Sequence, residues 1–599
     1  MPDLKDLLEA RTAKPAGFTA DSGAVYVLSD LSGTFQLYRV PVGGGELEQL
    51  TDLNEPILAF PIPGQSGLVV SVDSGGNERE QLYLHSGEPG AELEPLVVEP
   101  DFLHRAPRLS PDGALLAYSC NRRNGADLDV YLRALDGGDE RCVFDRGGPC
   151  SAASFSPDGR LLAVHRPTER SSDDELWLVD LASGDVTHVT PHDDESEYGA
   201  PEWVSPTVFL CASNEGRETF AVRRFDVASG EWATMLESEW DLTCWVDPTG
   251  ETLLVEENAD GYSRLELRDA GTLDLRRELP LPGRGVLGMP YEEPRFSPDG
   301  RLLAYQYTSP LVPGDVWLAD VQTGETARLT RSPNDLDAAE LTEPELHRFP
   351  SFDGESIPVF LFEPRGHEGL PPVVFVIHGG PEAQLRPIWQ PLIQYFVSHG
   401  LAVAAPNVRG STGYGKTFTK LDNALLREDP VKDIGALLDW IKTRPDLDAD
   451  RILVSGGSYG GFMSLAVASR YADRIRCSVD IVGISNFVTF LERTEAYRRD
   501  LRRVEYGDER DPATRAFMQR IAPVNNAAAI TRPILVVQGK NDPRVPLAEA
   551  EQIVATLRKR GTKAWYLMAR DEGHGFAKKR NADYLAYVLV TFIKKHLLD

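Results

Sequence analysis

Cysteine is scarce: there are six in 599 residues, Cys120, Cys142, Cys150, Cys211, Cys244 and Cys477. None forms a close pair at metal-ligand spacing, and no histidine cluster accompanies them. That argues against a disulfide scaffold and a cysteine-based zinc module, leaving free, buried thiols of a reducing compartment as the expectation. Long apolar runs are also missing. No stretch approaches the roughly 20 residues that a membrane span needs. The start, Met1-Pro2-Asp3-Leu4-Lys5, lacks the basic-then-apolar order of a signal peptide. A cytoplasmic protein with no membrane partner is therefore expected. Basic residues are outnumbered, 62 Lys and Arg against 92 Asp and Glu, for a net charge of −30. A nucleic-acid partner is excluded on that ground, because a phosphate backbone needs a basic surface.

The charge is unevenly placed. Residues 1–348 hold 28 basic and 63 acidic side chains, whereas residues 349–599 hold 34 and 29. The acidic part reads as a solubilising surface or as a vestibule favouring cationic peptides. It also repeats itself. Residues 107–118 (PRLSPDGALLAY), 153–164 (ASFSPDGRLLAV) and 294–305 (PRFSPDGRLLAY) are nearly copies, each reading as strand, Pro-Asp-Gly turn, strand. Weaker versions at 17–28, 60–72, 201–212 and 244–255 make seven units spaced near 46 residues. A second hairpin recurs between them, as in 176–180 (LWLVD) and 316–320 (VWLAD). Two hairpins per unit make a four-stranded sheet, and seven such sheets read as a seven-bladed β-propeller over residues 1–340. A sandwich array would leave more sheet edges exposed. Residues 1–12 precede the first unit and could dock on the second domain.

From about Phe349 short apolar runs alternate with amphipathic stretches. The runs 373–377 (VVFVI), 401–405, 452–455, 534–538 and 565–568 read as buried strands, and 431–443, 547–560 and 584–598 as helices. Strands apolar throughout and separated by helices indicate a mostly parallel sheet covered on both faces, an α/β-hydrolase domain over 349–599. The Asp-, Glu- and Pro-rich stretch 330–347 reads as the linker.

Within that sheet, Gly456-Gly457-Ser458-Tyr459-Gly460 fits a nucleophile elbow, with a strand before it and a helix after it. A serine hydroxyl needs a base to take its proton. His574, between Gly573 and Gly575 after the last strand, is the candidate; His399 and His596 read as structural. The acid that orients an imidazole should follow a strand between the two. Asp542 does so, with Asp480 as rival. Two backbone N–H groups must hold the oxyanion. Tyr459 supplies one, and Gly380 of His378-Gly379-Gly380-Pro381 the other, since Pro381 has no N–H. No metal and no organic cofactor is implied.

These motifs, with Asn407-Val408-Arg409-Gly410-Ser411-Thr412-Gly413-Tyr414-Gly415 and Asn541-Asp542-Pro543-Arg544-Val545-Pro546, resemble the prolyl oligopeptidase family of serine peptidases, and within it the acylaminoacyl-peptidase branch. The resemblance spans almost the whole chain. It implies that the propeller caps the site and restricts substrates to oligopeptides. It also implies that Arg544 binds the carbonyl preceding P1, although a plain surface arginine would look the same. Ile484, Phe487, Val488 and Phe490 would line an apolar S1 pocket or belong to the core. The dipeptidyl branch's glutamate run is represented only by Tyr291-Glu292-Glu293-Pro294, which reads as a blade element. Release of N-acylated amino acids from blocked peptides is the expected activity. Dipeptidyl peptidase, carboxypeptidase-like hydrolase and esterase are the alternatives, with a propeller interaction scaffold carrying an inactive hydrolase as the reading of another class. Oligomeric state, including a homo-oligomer, stays open.

Overall fold

The computed structural model describes residues 2–288 and 292–598. Seven consecutive sheets span residues 13–49, 57–97, 104–144, 151–188, 202–236, 242–279 and 286–328. Six have four strands in chain order; the seventh adds a short strand, Arg295–Phe296, beside Leu302–Ser309. The repeated Ser-Pro-Asp-Gly turns have a common physical basis. In the first, Ser110 Oγ donates to Asp112 Oδ1 at 2.6 Å and accepts from Leu115 N, and Gly113 takes φ +67°. The same bonds recur at Ser156–Asp158 and Ser297–Asp299. The weaker first unit departs from this: Ser22, not Gly23, holds the positive φ. Among the described residues no strand is exchanged between the first and last blades. The ring closes through packing of Phe18, Val25 and Tyr38 on Val316 and Leu318, and through Gln306 Nε2 donating to Ala13 O at 2.9 Å. Of the four-residue glutamate stretch, Tyr291 lies outside the described residues, while Glu292 pairs with Lys14 and Glu293 with Arg295.

The second domain is an eight-stranded sheet in the spatial order Glu345–Pro350, Ser356–Phe362, Ala402–Pro406, Pro372–Ile377, Asp448–Gly457, Cys477–Ile481, Ile534–Gly539, Ala564–Ala569. The first two strands are antiparallel to their neighbours and the rest run parallel. The first begins inside the stretch expected to be linker. With Glu345, Arg348 and Pro350 exposed and only Phe349 fully buried, it is an edge strand that composition alone disguised. One apolar layer holds Ile434, Leu437, Phe462 and Leu465, and the opposite layer Trp389, Phe396 and Phe592. The N-terminal helix Leu4–Glu9 buries Leu4 and Leu7 in that second layer.

Candidate active site

The strand Asp448–Gly457 passes through Ser458 directly into the helix Tyr459–Arg470. The turn between them is tight: Ser458 has φ 58° and ψ −117°, and its N–H donates to Ile481 O at 2.8 Å. A Cβ on Gly456 would collide with Gly460 O, and one on Gly460 with Ile377 O. A Cβ on Gly461 would lie 2.6 Å from both Asp480 Oδ1 and Gly483 Cα. These clashes involve backbone that cannot move aside, so the glycines are required by the turn.

Asp542 and His574 meet. Nδ1 of His574 lies 2.8 Å from Asp542 Oδ2. Oδ1 of Asp542 accepts from Arg544 N at 2.8 Å and Val545 N at 2.9 Å, and Gln538 Nε2 donates to Oδ2 at 3.2 Å. The carboxylate is thus buried, satisfied and aimed at one imidazole nitrogen. The loop carrying His574 is braced by Glu572, whose carboxylate accepts from Ala577 N, Lys578 N and Asn581 Nδ2. The rival Asp480 sits 1% exposed behind the elbow, and burial holds its carboxyl well above the ordinary range. His399 and His596 lie elsewhere, stacked on Tyr395 and against Trp565 and Phe592.

Ser458 and His574 line one cavity of about 430 Å³ with Gly379, Gly380, Glu382, Ala383, Ile484, Phe490, Arg498, Arg502, Tyr506, Arg544 and Val545. Tyr459 opens its helix, so its N–H has no intrahelical acceptor. Its side chain is buried, the hydroxyl donating to Asp422 Oδ2 at 3.1 Å. Gly380 adopts φ +125°, and its carbonyl accepts from Tyr506 OH at 3.0 Å. His378 anchors the same loop through Ser411 Oγ at 2.8 Å, and burial lowers its pKa. The stretch 407–415 supports that loop: Asn407 bonds both N and O of Leu385, and Arg409 is clamped between Asp353 and Asp433.

The expected apolar pocket is corrected in part. Ile484 and Phe490 line the cavity, but Phe487 and Val488 do not. They turn into the core, Phe487 against Phe462 and Tyr506 at ring distances of 4.6 and 4.8 Å. On the short helix Phe487–Arg493, Phe487, Val488, Phe490 and Leu491 are all buried, so an apolar run cannot reveal which of them borders a cavity. Tyr506, Val545 and two arginines complete the wall. Arg544 lines the cavity but is ion-paired to Glu78 of the second blade. Arg498, Arg502 and Tyr506 were missed as site residues; their spacing of four along Ala496–Tyr506 is the available signal.

The propeller covers this cavity. Gly75 O accepts from Asn541 Nδ2 at 2.9 Å, and Gly76 abuts Gly573 so closely that neither could carry a Cβ. Ser171 and Ser172 donate to Glu382, and Asn258 to Gln384. Away from the site, Glu99, His104 and Cys120 bring potential metal-ligand atoms within 4.8 Å of one another. There, however, Arg122 Nε lies 3.4 Å from both Glu99 Oε2 and Cys120 Sγ and already supplies the positive charge.

Residues 390–599 match the prolyl oligopeptidase family and residues 70–332 the N-terminal β-propeller domain of prolyl oligopeptidase. Dipeptidyl aminopeptidase BIII of Pseudoxanthomonas mexicana is 28% identical over 537 residues, covering 85% of this chain and 75% of that one. Dipeptidyl peptidase family member 6 of Caenorhabditis elegans is 33% identical over 229 residues, 38% of this chain and 31% of that one. A puromycin-hydrolyzing peptidase of Mycobacterium tuberculosis superposes with a TM-score of 0.86 at 20% identity, covering 100% of this chain and 96% of that one.

Proposed function

Because the chain belongs to the prolyl oligopeptidase family and is a serine peptidase, we propose that Ser458 is its nucleophile, His574 its base and Asp542 the acid that orients the base. The observation that carries this is the 2.8 Å contact between Asp542 Oδ2 and His574 Nδ1 in the cavity that Ser458 lines. With Nδ1 engaged, Nε2 is the ring atom left for the hydroxyl. Ser458 Oγ attacks the scissile carbonyl while His574 takes its proton. The N–H groups of Tyr459 and Gly380 hold the oxyanion, and His574 returns the proton to the leaving amine. Water then repeats the sequence to release the acyl group. In this reading residues 1–340 are the cap, with the first twelve docked on the hydrolase unit. That unit spans 349–599, extended back to Glu345 by its first strand. Arg544 reaches the substrate backbone from the rim of the cavity.

The preferred substrate is a short peptide with a blocked N-terminus. A free ammonium would need an unengaged carboxylate. Glu292 and Glu293 are paired with cations, and Glu382, whose Oε1 accepts from Ser171 and Ser172, is the one carboxylate on the cavity wall that a dipeptidyl substrate would have to use. The names of two relatives favour a dipeptidyl activity instead, and one panel separates the readings. Acetyl-Leu p-nitroanilide should be hydrolysed faster than Gly-Pro or free Leu p-nitroanilide. A fluorophosphonate probe should label the native chain and lose its site in Ser458→Ala. Faster turnover of Gly-Pro p-nitroanilide would refute the acylaminoacyl preference, and absence of labelling would refute the nucleophile.

A further inference from the structure

The helix Ala496–Tyr506 carries Arg498, Arg502 and Tyr506 at every fourth position, hence on one face, and that face lines the cavity beside Ser458. With Arg544, three guanidinium-bearing side chains enter a cavity whose lining includes one carboxylate, Glu382. The bonds of each charge can be followed. Arg544 is bonded to Glu78. Arg502 donates to Glu505 Oε2 at 2.5 Å, and Arg427 behind it is bonded to Asp422. Glu382 is held by Ser171 and Ser172. Arg498 is the remainder. Among the described residues its guanidinium donates no hydrogen bond. Its ion pair is with Glu78 Oε2 at 3.7 Å, an oxygen that already accepts from Arg105 at 2.9 Å.

A guanidinium has five N–H donors, and those of Arg498 are left to the solvent of the cavity, where a fixed acceptor would be a gain. Arg498 is 13% exposed, and burial, with Arg502 and Arg544 beside it, pulls its pKa down to about 10. An anion would relieve both the unmet donors and the mutual repulsion. The planar fork of a guanidinium matches a carboxylate. Ile484, Phe490 and Val545 give the same cavity an apolar wall suited to the stem that carries such a group.

We propose that the cavity beside Ser458 seats a carboxylate of the substrate on Arg498, with Arg502 and Arg544 flanking it. The inference rests on the reading of Ser458 as nucleophile. It makes Arg498 a specificity residue, selecting substrates by an acidic side chain or by a free C-terminal carboxylate near the scissile bond. Two matched pairs of blocked peptides distinguish these sources. One pair is acetyl-Ala-Glu and acetyl-Ala-Gln p-nitroanilide; the other is acetyl-Ala-Ala-Leu with a free C-terminus and as its amide. On the full-length protein, kcat/KM should favour the anionic member of one pair by about tenfold or more, as a charged hydrogen bond warrants. The ratio should fall towards one in Arg498→Gln and largely return in Arg498→Lys. Equal rates within both pairs for the unaltered protein, a comparison needing no variant, would overturn the proposal. So would a preference that survives Arg498→Gln. Turnover of the neutral peptides with fluorophosphonate labelling of Ser458 keeps the peptidase reading whatever the ratio. No turnover and no labelling would remove both.

Discussion

Two aspartates end neighbouring parallel strands, and their surroundings divide them. Asp542 has both carboxylate oxygens engaged and meets His574, whereas Asp480 is packed against Gly461 and Gly483 under the elbow. On the proposed chemistry, Asp542→Asn should lower kcat on acetyl-Leu p-nitroanilide by about 10⁴-fold, because the wrong tautomer faces the serine. Asp480→Asn should leave kcat within about tenfold, since no step passes through it; the reverse ranking would exchange their roles. Glu505 gives a pH signature. Burial drives its carboxyl from the ordinary 4.5 up to about 8, with Arg502 pulling the other way. A carboxyl whose pKa rises on folding holds its proton more tightly in the native state. Its contribution to stability is therefore complete below pH 4.5 and is lost as pH climbs through about 8. Glu505→Gln should flatten the decline of Tm between about pH 5 and 8, measured by calorimetry. An unchanged slope would mean that Glu505 is ionised throughout.

The loop from Asp73 to Glu80 reaches from the second blade onto the loops that carry Asp542 and His574, through Gly75 to Asn541, Gly76 to Gly573 and Glu78 to Arg544. Gly76 adopts φ +75°, and a Cβ there would strike the backbone N of Gly573. Gly76→Ala should therefore displace the His574 loop or lift the blade away, lowering kcat/KM by about tenfold or more. Circular dichroism of the variant should remain native; unchanged kinetics would show that the contact does not position His574. The blade turns were readable beforehand because Ser-Pro-Asp-Gly carries its own hydrogen bonds. The edge strand Glu345–Pro350 was not, because half of its side chains face solvent and its composition is that of a loop.

Charge acts over the longest range. The acidic preponderance lies almost wholly in residues 1–348, which include the whole propeller covering a cavity lined by three arginines. Cationic oligopeptides should be drawn to the cap by its field. Their kcat/KM should fall several-fold when ionic strength rises from about 10 mM to 0.3 M, as screening shortens the Debye length. Rates independent of salt would reduce the charge to a solubilising role. No helix among the described residues is long and apolar enough to cross a membrane. First and last blades meet through side-chain packing and the bond from Gln306 to Ala13 O, so among the described residues the ring is closed without a shared strand.

Local chemistry was written into the chain. Seven turn-forming repeats, alternating strands and helices, and a serine hemmed by glycines follow from short-range rules of turn geometry, hydrophobic period and steric room. The loops that carry Ser458, Asp542 and His574 could be picked out because each has its own recognisable sequence. What three-dimensional packing alone decided is which residues surround them. Phe487 and Val488 turned into the core, Arg544 was drawn to a propeller glutamate, and Arg498 and Arg502 entered the cavity. These outcomes depend on where one short helix docks and on a blade loop whose Glu78 lies 466 residues upstream of Arg544. Contacts between segments so distant in the chain leave no periodicity in sequence. They arise only when the two domains bury their facing surfaces together.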